Sequence, residues 1–143
     1  MRTVEASAVL RAQPDEIWNV IGNPSRWGEW LVIHRSWKGP VPEAVGPGVT
    51  ATASAAVMNM PVTIDWTFGE VDRLRSIELS GTTRAAVRLE LGIRLFPQGG
   101  ATEIVVVTTV NGGMIDGPMG GVFAKSIVGA LNKSLIKMDA LVA

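Results

Sequence analysis

His34 is the one histidine in the 143-residue chain, and its ordinary pKa lies near neutrality, so proton transfer at physiological pH would start there. It follows Trp27 and Trp30 in a segment that reads as a loop. One reading makes it a loop-anchoring surface histidine. The other makes it a hydrogen-bond partner or general acid for a bound molecule. Arg84 is the second candidate: it lies before the alternation of the next strand settles, where a guanidinium can lean into a cavity mouth and orient a carbonyl or carboxylate. Arg88, Glu90 and Arg94 share one parity and read as a solvated, charge-paired sheet face. Asp65 alternates against Ile64 and Trp66, which points it away from them.

Other chemistry is excluded by what the chain lacks. With no cysteine there is no disulfide framework, thiolate metal site or cysteine nucleophile. Gly117, Gly120 and Gly121 do not follow the dinucleotide spacing, and no strand follows to complete a βαβ unit. They read instead as letting a helix start pass close to a sheet. No cofactor or metal is therefore expected. Thirteen basic and thirteen acidic residues cancel, which removes the attraction that dominates nucleic-acid binding. No stretch has the length of a membrane span, and Glu5 interrupts the short apolar N-terminus, so the expectation is a cytoplasmic protein without a signal peptide. Hydrophobic residues make up 47% of the chain and charged ones 18%, with five tryptophans and no tyrosine. That excess of apolar surface suits a lined cavity, a homodimer or a protein partner.

The elements that must position these residues follow from periodicity. Val4, Ala6, Ala8 and Leu10 alternate with polar residues and predict a strand over 3–10. Pro14 opens a short helix with Asp15 and Glu16 in its first turn and Ile17, Val20 and Ile21 on its buried side. Gly22, Asn23 and Pro24 stop it, and a second helical segment spans 25–30. Strands follow over 49–58, over 62–68 after a turn at Asn59, Met60 and Pro61, and over 76–80. Val87, Leu89, Leu91, Ile93 and Leu95 form the clearest period-two segment. After a turn at 97–100, residues 101–110 are β-branched on both faces, which predicts a central strand covered on each side. From Asp116 the period turns helical: Phe123, Ile127, Leu131, Leu135 and Met138 form one stripe, widened by Val128 and Leu141.

One strand, two short helices, a run of antiparallel strands and a long last helix is the order of a known fold. The fragments are Pro14-Asp15-Glu16-Ile17-Trp18, Asn23-Pro24-Ser25-Arg26-Trp27-Gly28-Glu29-Trp30, Gly46-Pro47-Gly48, Gly69-Glu70-Val71-Asp72, Gly100-Ala101-Thr102-Glu103 and Gly117-Pro118-Met119-Gly120-Gly121. In this order the whole chain resembles the START-like, polyketide cyclase and lipid-transport superfamily. The resemblance implies an α+β helix-grip fold, a single domain over 1–143, whose curved antiparallel sheet wraps around the C-terminal helix. It also implies an elongated cavity with its mouth near the loops. Members carry lipids, bind hormones, cyclise polyketides, act as chaperone cofactors or serve as toxins of toxin–antitoxin pairs, so fold alone does not select among activities.

The faces expected inward are almost wholly aliphatic and aromatic, and no tyrosine is present to donate a proton, which suits a carrier better than a cyclase. The expected function is binding of a small hydrophobic or amphipathic ligand. Its expected lining is Ile64, Trp66, Phe68, Leu89, Leu91, Met119, Phe123 and Ile127, with Trp27, Trp30 and His34 toward the mouth and Trp37 beside them. A cyclase or dehydratase would instead use His34 for proton transfer and Arg84 for orientation. A toxin-type regulator would cover an apolar surface with a protein partner.

Overall fold

The computed structural model describes residues 1–142. Strand β1 (Arg2–Leu10) leads to helix α1 (Pro14–Ile21), a 3-10 turn at Pro24–Arg26 and the single-turn helix α2 (Trp27–Trp30). Six strands follow: β2 (His34–Lys38), β3 (Thr50–Val57), β4 (Met60–Asp72), β5 (Ser76–Thr83), β6 (Arg88–Gln98) and β7 (Ala101–Asn111). A second 3-10 turn at Gly113–Asp116 precedes the long helix α3 (Gly120–Val142). All seven strands join one antiparallel sheet in the order β1-β7-β6-β5-β4-β3-β2, curled so that its concave face holds α3. This is the α+β helix-grip architecture.

Alternation decides which side chains enter the concave face. Ile64, Trp66 and Phe68 on β4, Leu89, Leu91, Ile93 and Leu95 on β6, and Ile104, Val106 and Val110 on β7 are all buried. Arg88, Glu90, Arg94 and Asp65 point outward as expected; Arg94 lies 3.5 Å from Glu78, and Asp65 accepts the Thr52 hydroxyl at 2.7 Å. The predicted α3 stripe, Phe123, Ile127, Leu131, Leu135 and Met138, is buried throughout, while Leu141 stays 37% exposed.

The structure departs from the periodicity reading at several places, three of them with a clear physical cause or consequence. The β3–β4 turn is the pair Met58-Asn59, both at positive φ (55° and 61°), so Met60 and Pro61 already pair with Val57 and Ala56. Left-handed residues at both central positions match strand twist, and Pro61 is tolerated because the β5 ladder reaches only Ile64. Second, α3 begins at Gly120 rather than Asp116. Pro118 pushes Gly117 into an extended conformation (φ −104°, ψ −167°), which interrupts the helical run, and Asp116 instead accepts the Met1 ammonium at 3.3 Å. Third, β7 lies second from the edge, between β1 and β6. Its outward Val105 and Val107 are only half-buried.

The close approach expected of the small-residue run is present at Gly120. A Cβ there would collide with the Ile115 carbonyl and the Arg2 guanidinium of β1. Glycine is thus what lets the helix start sit against the sheet edge.

Candidate functional site

The interior between the concave face, α2 and α3 is the candidate ligand site; it is filled by core side chains, and its two ends are built differently. The aromatic end is centred on Trp27, which has no exposed surface. Its ring lies 5.2 Å from Trp37, 5.7 Å from Phe68, 6.1 Å from His34 and 6.4 Å from Trp66, centroid to centroid. Three of these pairs are edge-on and the Trp37 pair is tilted, and the edge-on arrangement suits the ring quadrupoles. Trp27 Nε1 donates to the Ile21 carbonyl at 3.1 Å, and Trp37 Nε1 donates to the Pro24 carbonyl at 2.8 Å. The residues that end α1 therefore anchor two indoles.

His34 is a strand residue rather than a loop residue. It opens β2 opposite Ala55, and a register shift between His34 and Ser36 follows. That irregularity breaks the period-two pattern and puts His34 and Trp37, three residues apart, on the same inward face as Ala55 and Ala53. The His34 ring stands 4.7 Å from Trp37. Burial among indoles pushes its pKa below the ordinary histidine value, which favours the neutral imidazole.

The aliphatic end lies under α3. Leu89 and Leu91 on β6 and Phe123 and Ile127 on α3 are all buried, none more than 6% exposed. Thr108 of β7 sits opposite Leu91 on one side and Val4 on the other, on the inward face. Ser134 ties the segment between α2 and β2 to α3: its hydroxyl donates to the Ala130 carbonyl at 2.7 Å and accepts from the Val32 N–H at 2.9 Å.

Two expected site residues are placed elsewhere. Met119 precedes α3 and is 46% exposed. Arg84 is exposed in the β5–β6 turn, three strands across the sheet from His34 on β2. The fold does not bring the two together. Trp27 and Trp30 were expected to frame an opening and are instead fully buried.

Thr108 was not singled out in the sequence, although a signal existed. It is in phase with Ile104, Val106 and Val110, so a hydroxyl enters an apolar face. Thr102 shares that phase but donates to the Ala12 carbonyl at 2.8 Å. Among the described residues Thr108 Oγ1 has no hydrogen-bond partner, and neither has Trp30 Nε1; both atoms are buried.

Comparison with known proteins agrees with this architecture. The family model described as polyketide cyclase/dehydrase and lipid transport matches residues 1–143, and the chain belongs to this family. An uncharacterized Mycobacterium tuberculosis protein, Rv1546, is 27% identical over 135 residues, covering 94% of each chain. Toxin Rv0910 of the same organism is 24% identical over 135 residues with the same coverage. Among solved structures, TTHA0849 from Thermus thermophilus superposes with a TM-score of 0.79 at 16% identity, covering 98% of this chain and 96% of that one. Ara h 8.0201 superposes at 0.71 with 11% identity, covering 97% and 95%. These structures share the fold. No helix among the described residues is long and apolar enough to cross a membrane.

Proposed function

We propose that this chain binds a small hydrophobic or amphipathic molecule, lipid- or polyketide-like, between the concave sheet face and α3. The observation that carries the reading is the pair of buried polar atoms, Trp30 Nε1 and Thr108 Oγ1, left without partners among the described residues in a mostly apolar interior where the Thr102 and Ser134 hydroxyls are hydrogen-bonded. A buried unmade hydrogen bond costs about 1–3 kcal/mol, so such atoms call for a guest. The indole only donates, whereas the hydroxyl donates or accepts. A ligand carrying a carbonyl, carboxylate or ether oxygen and an aliphatic body matches both demands. Apolar burial then contributes roughly 25 cal/mol per Å², and the polar atoms orient the guest. Because the lining is packed, entry requires displacement of a wall. We assign that movement to the start of α3, where Gly117 and Gly121 flank the close contact at Gly120 and leave the backbone freer to rearrange. The separation of His34 from Arg84 favours binding over acid–base catalysis.

The test is native mass spectrometry and displacement of an anilinonaphthalene probe across fatty acids, isoprenoids and poly-ketone aromatics. Binding of at least one class is expected, with affinity reduced in Trp30→Phe and Thr108→Val. No binding across the panel, or binding indifferent to both variants, would remove the reading.

A second reading is regulatory. It is favoured by the similarity to a relative named as a toxin, extending over 94% of both chains. Induced expression in a mycobacterial host would arrest growth if it holds. Unimpaired growth at high expression would discard it.

A further inference from the structure

The outer surface of α3 carries a pattern that the protomer itself does not use. Val122, Gly129 and Ile136 recur at seven-residue intervals, and Lys125, Asn132 and Asp139 form a second row beside them. All six are exposed, Ile136 by 71% and Val122 by 51%. Beside this seam a groove between β1 and α3 is lined by Val9, Asn132, Ile136 and Asp139, with Val9 itself 58% exposed.

Gly129 is the most telling member. A glycine inside a helix costs roughly 1 kcal/mol relative to alanine. At Gly81 and Gly120 the protomer needs the missing side chain, because a Cβ would meet Ile64 and Trp66 or the Ile115 carbonyl. At Gly129 a Cβ would meet nothing within 4 Å. The notch is open to whatever lies outside.

We infer that this seam is a homodimer interface in which α3 packs antiparallel against α3 of a second copy, centred near Asn132. In that register the exposed Ile136 falls on the rhombus formed by Lys125, Val128, Gly129 and Asn132 of the other copy, and the glycine gives the hole its depth. Lys125 lies opposite Asp139, Asn132 meets Asn132, and two-fold symmetry repeats each contact. Among the described residues neither Lys125 nor Asp139 forms an ion pair within the chain. Charge and shape are therefore complementary to the same surface turned around, which selects a second copy over an unrelated partner.

Sedimentation velocity on the full chain over a roughly hundredfold concentration range tests this by mass action. The wild-type protein is expected to dimerise, and Ile136→Glu to sediment as a monomer. Lys125→Glu and Asp139→Lys are each expected to weaken dimerisation about tenfold or more, while the double variant recovers it because reversed charges meet reversed charges. Filling the notch with Gly129→Leu should also weaken it. A wild-type monomer at every concentration overturns the inference. So does a dimer that survives Ile136→Glu, or a double charge reversal that fails to recover what the single reversals lose. None of these residues touches the interior, so the ligand reading stands or falls separately.

Discussion

The two ends of the packed interior are held by different physics. At the aromatic end, Trp27 and Trp37 are fixed by directional hydrogen bonds to the carbonyls of Ile21 and Pro24, and their rings pack against His34, Trp66 and Phe68. At the aliphatic end, Leu89, Leu91, Phe123 and Ile127 belong to the apolar core and have no polar side-chain atoms to fix them, and the Thr108 hydroxyl has no partner among the described residues. Directional bonds tie a side chain to one position, whereas aliphatic contacts are individually weak and tolerate repacking. The comparison teaches that the aromatic end is the fixed wall and the α3 side the yielding one.

The largest effect should come from breaking the fixed wall. Trp27→Ala removes a fully buried indole and is expected to cost about 3–5 kcal/mol in guanidinium unfolding. A cost near that of an exposed substitution would refute the role given to the aromatic cluster.

The yielding wall should show a gradient along α3. Leu131→Ala, at a site 2% exposed, should cost about 2–5 kcal/mol. Phe123→Ala should cost less than the roughly 3–5 kcal/mol usual for a buried phenylalanine, and should change ligand affinity more than Leu131→Ala does. Paired denaturant melts and ligand titrations check this. Equal stability losses with equal affinities would mean that α3 is uniform core along its length.

A smaller and opposite effect is expected at Thr108. Thr108→Val removes a buried hydroxyl that has no partner while keeping the branched shape, so the empty protein should be unchanged or gain about 1 kcal/mol. Ligand affinity should fall at the same time. A loss of stability would show that the hydroxyl is already satisfied, by water for instance, and would break the contrast between the two ends.

Where local rules dominate, the sequence was legible. Period two gave the inward residues of β4 and β6, and period 3.6 gave the α3 stripe, because burial on one face imposes both patterns. Legibility ended where one residue overrides the period. The register shift after His34 hides β2 from the period-two pattern, and Pro118 holds the start of α3 back to Gly120. The site was less legible than the fold for a related reason. Thr102 and Thr108 are indistinguishable in pattern, and only the position of the Ala12 carbonyl decides that one is satisfied and the other is not.

The smallest expected effect sharpens the comparison at His34, the one titratable group of the aromatic end. Burial lowers its pKa from the ordinary 6.5, so the folded protein releases the proton more readily than the unfolded chain does. Between the two pKa values the unfolded state binds more protons, and stability therefore rises with pH across that window. Full stability is present above about 6.5 and declines as pH falls below it toward the depressed folded value. The rings facing His34 are Trp27 and Trp37, and Gly28 and Ala55 adjoin it without charge. The carboxylate of α2, Glu29, is held below its ordinary 4.5 by its hydrogen bonds from Arg26 and so titrates outside this window. Urea midpoints of the wild-type protein should fall between about pH 7.5 and about pH 5.5, and the fall should be shallower in His34→Gln. Parallel pH profiles for the two proteins would show that the imidazole reaches solvent, and that the aromatic end is a looser wall than its hydrogen bonds imply.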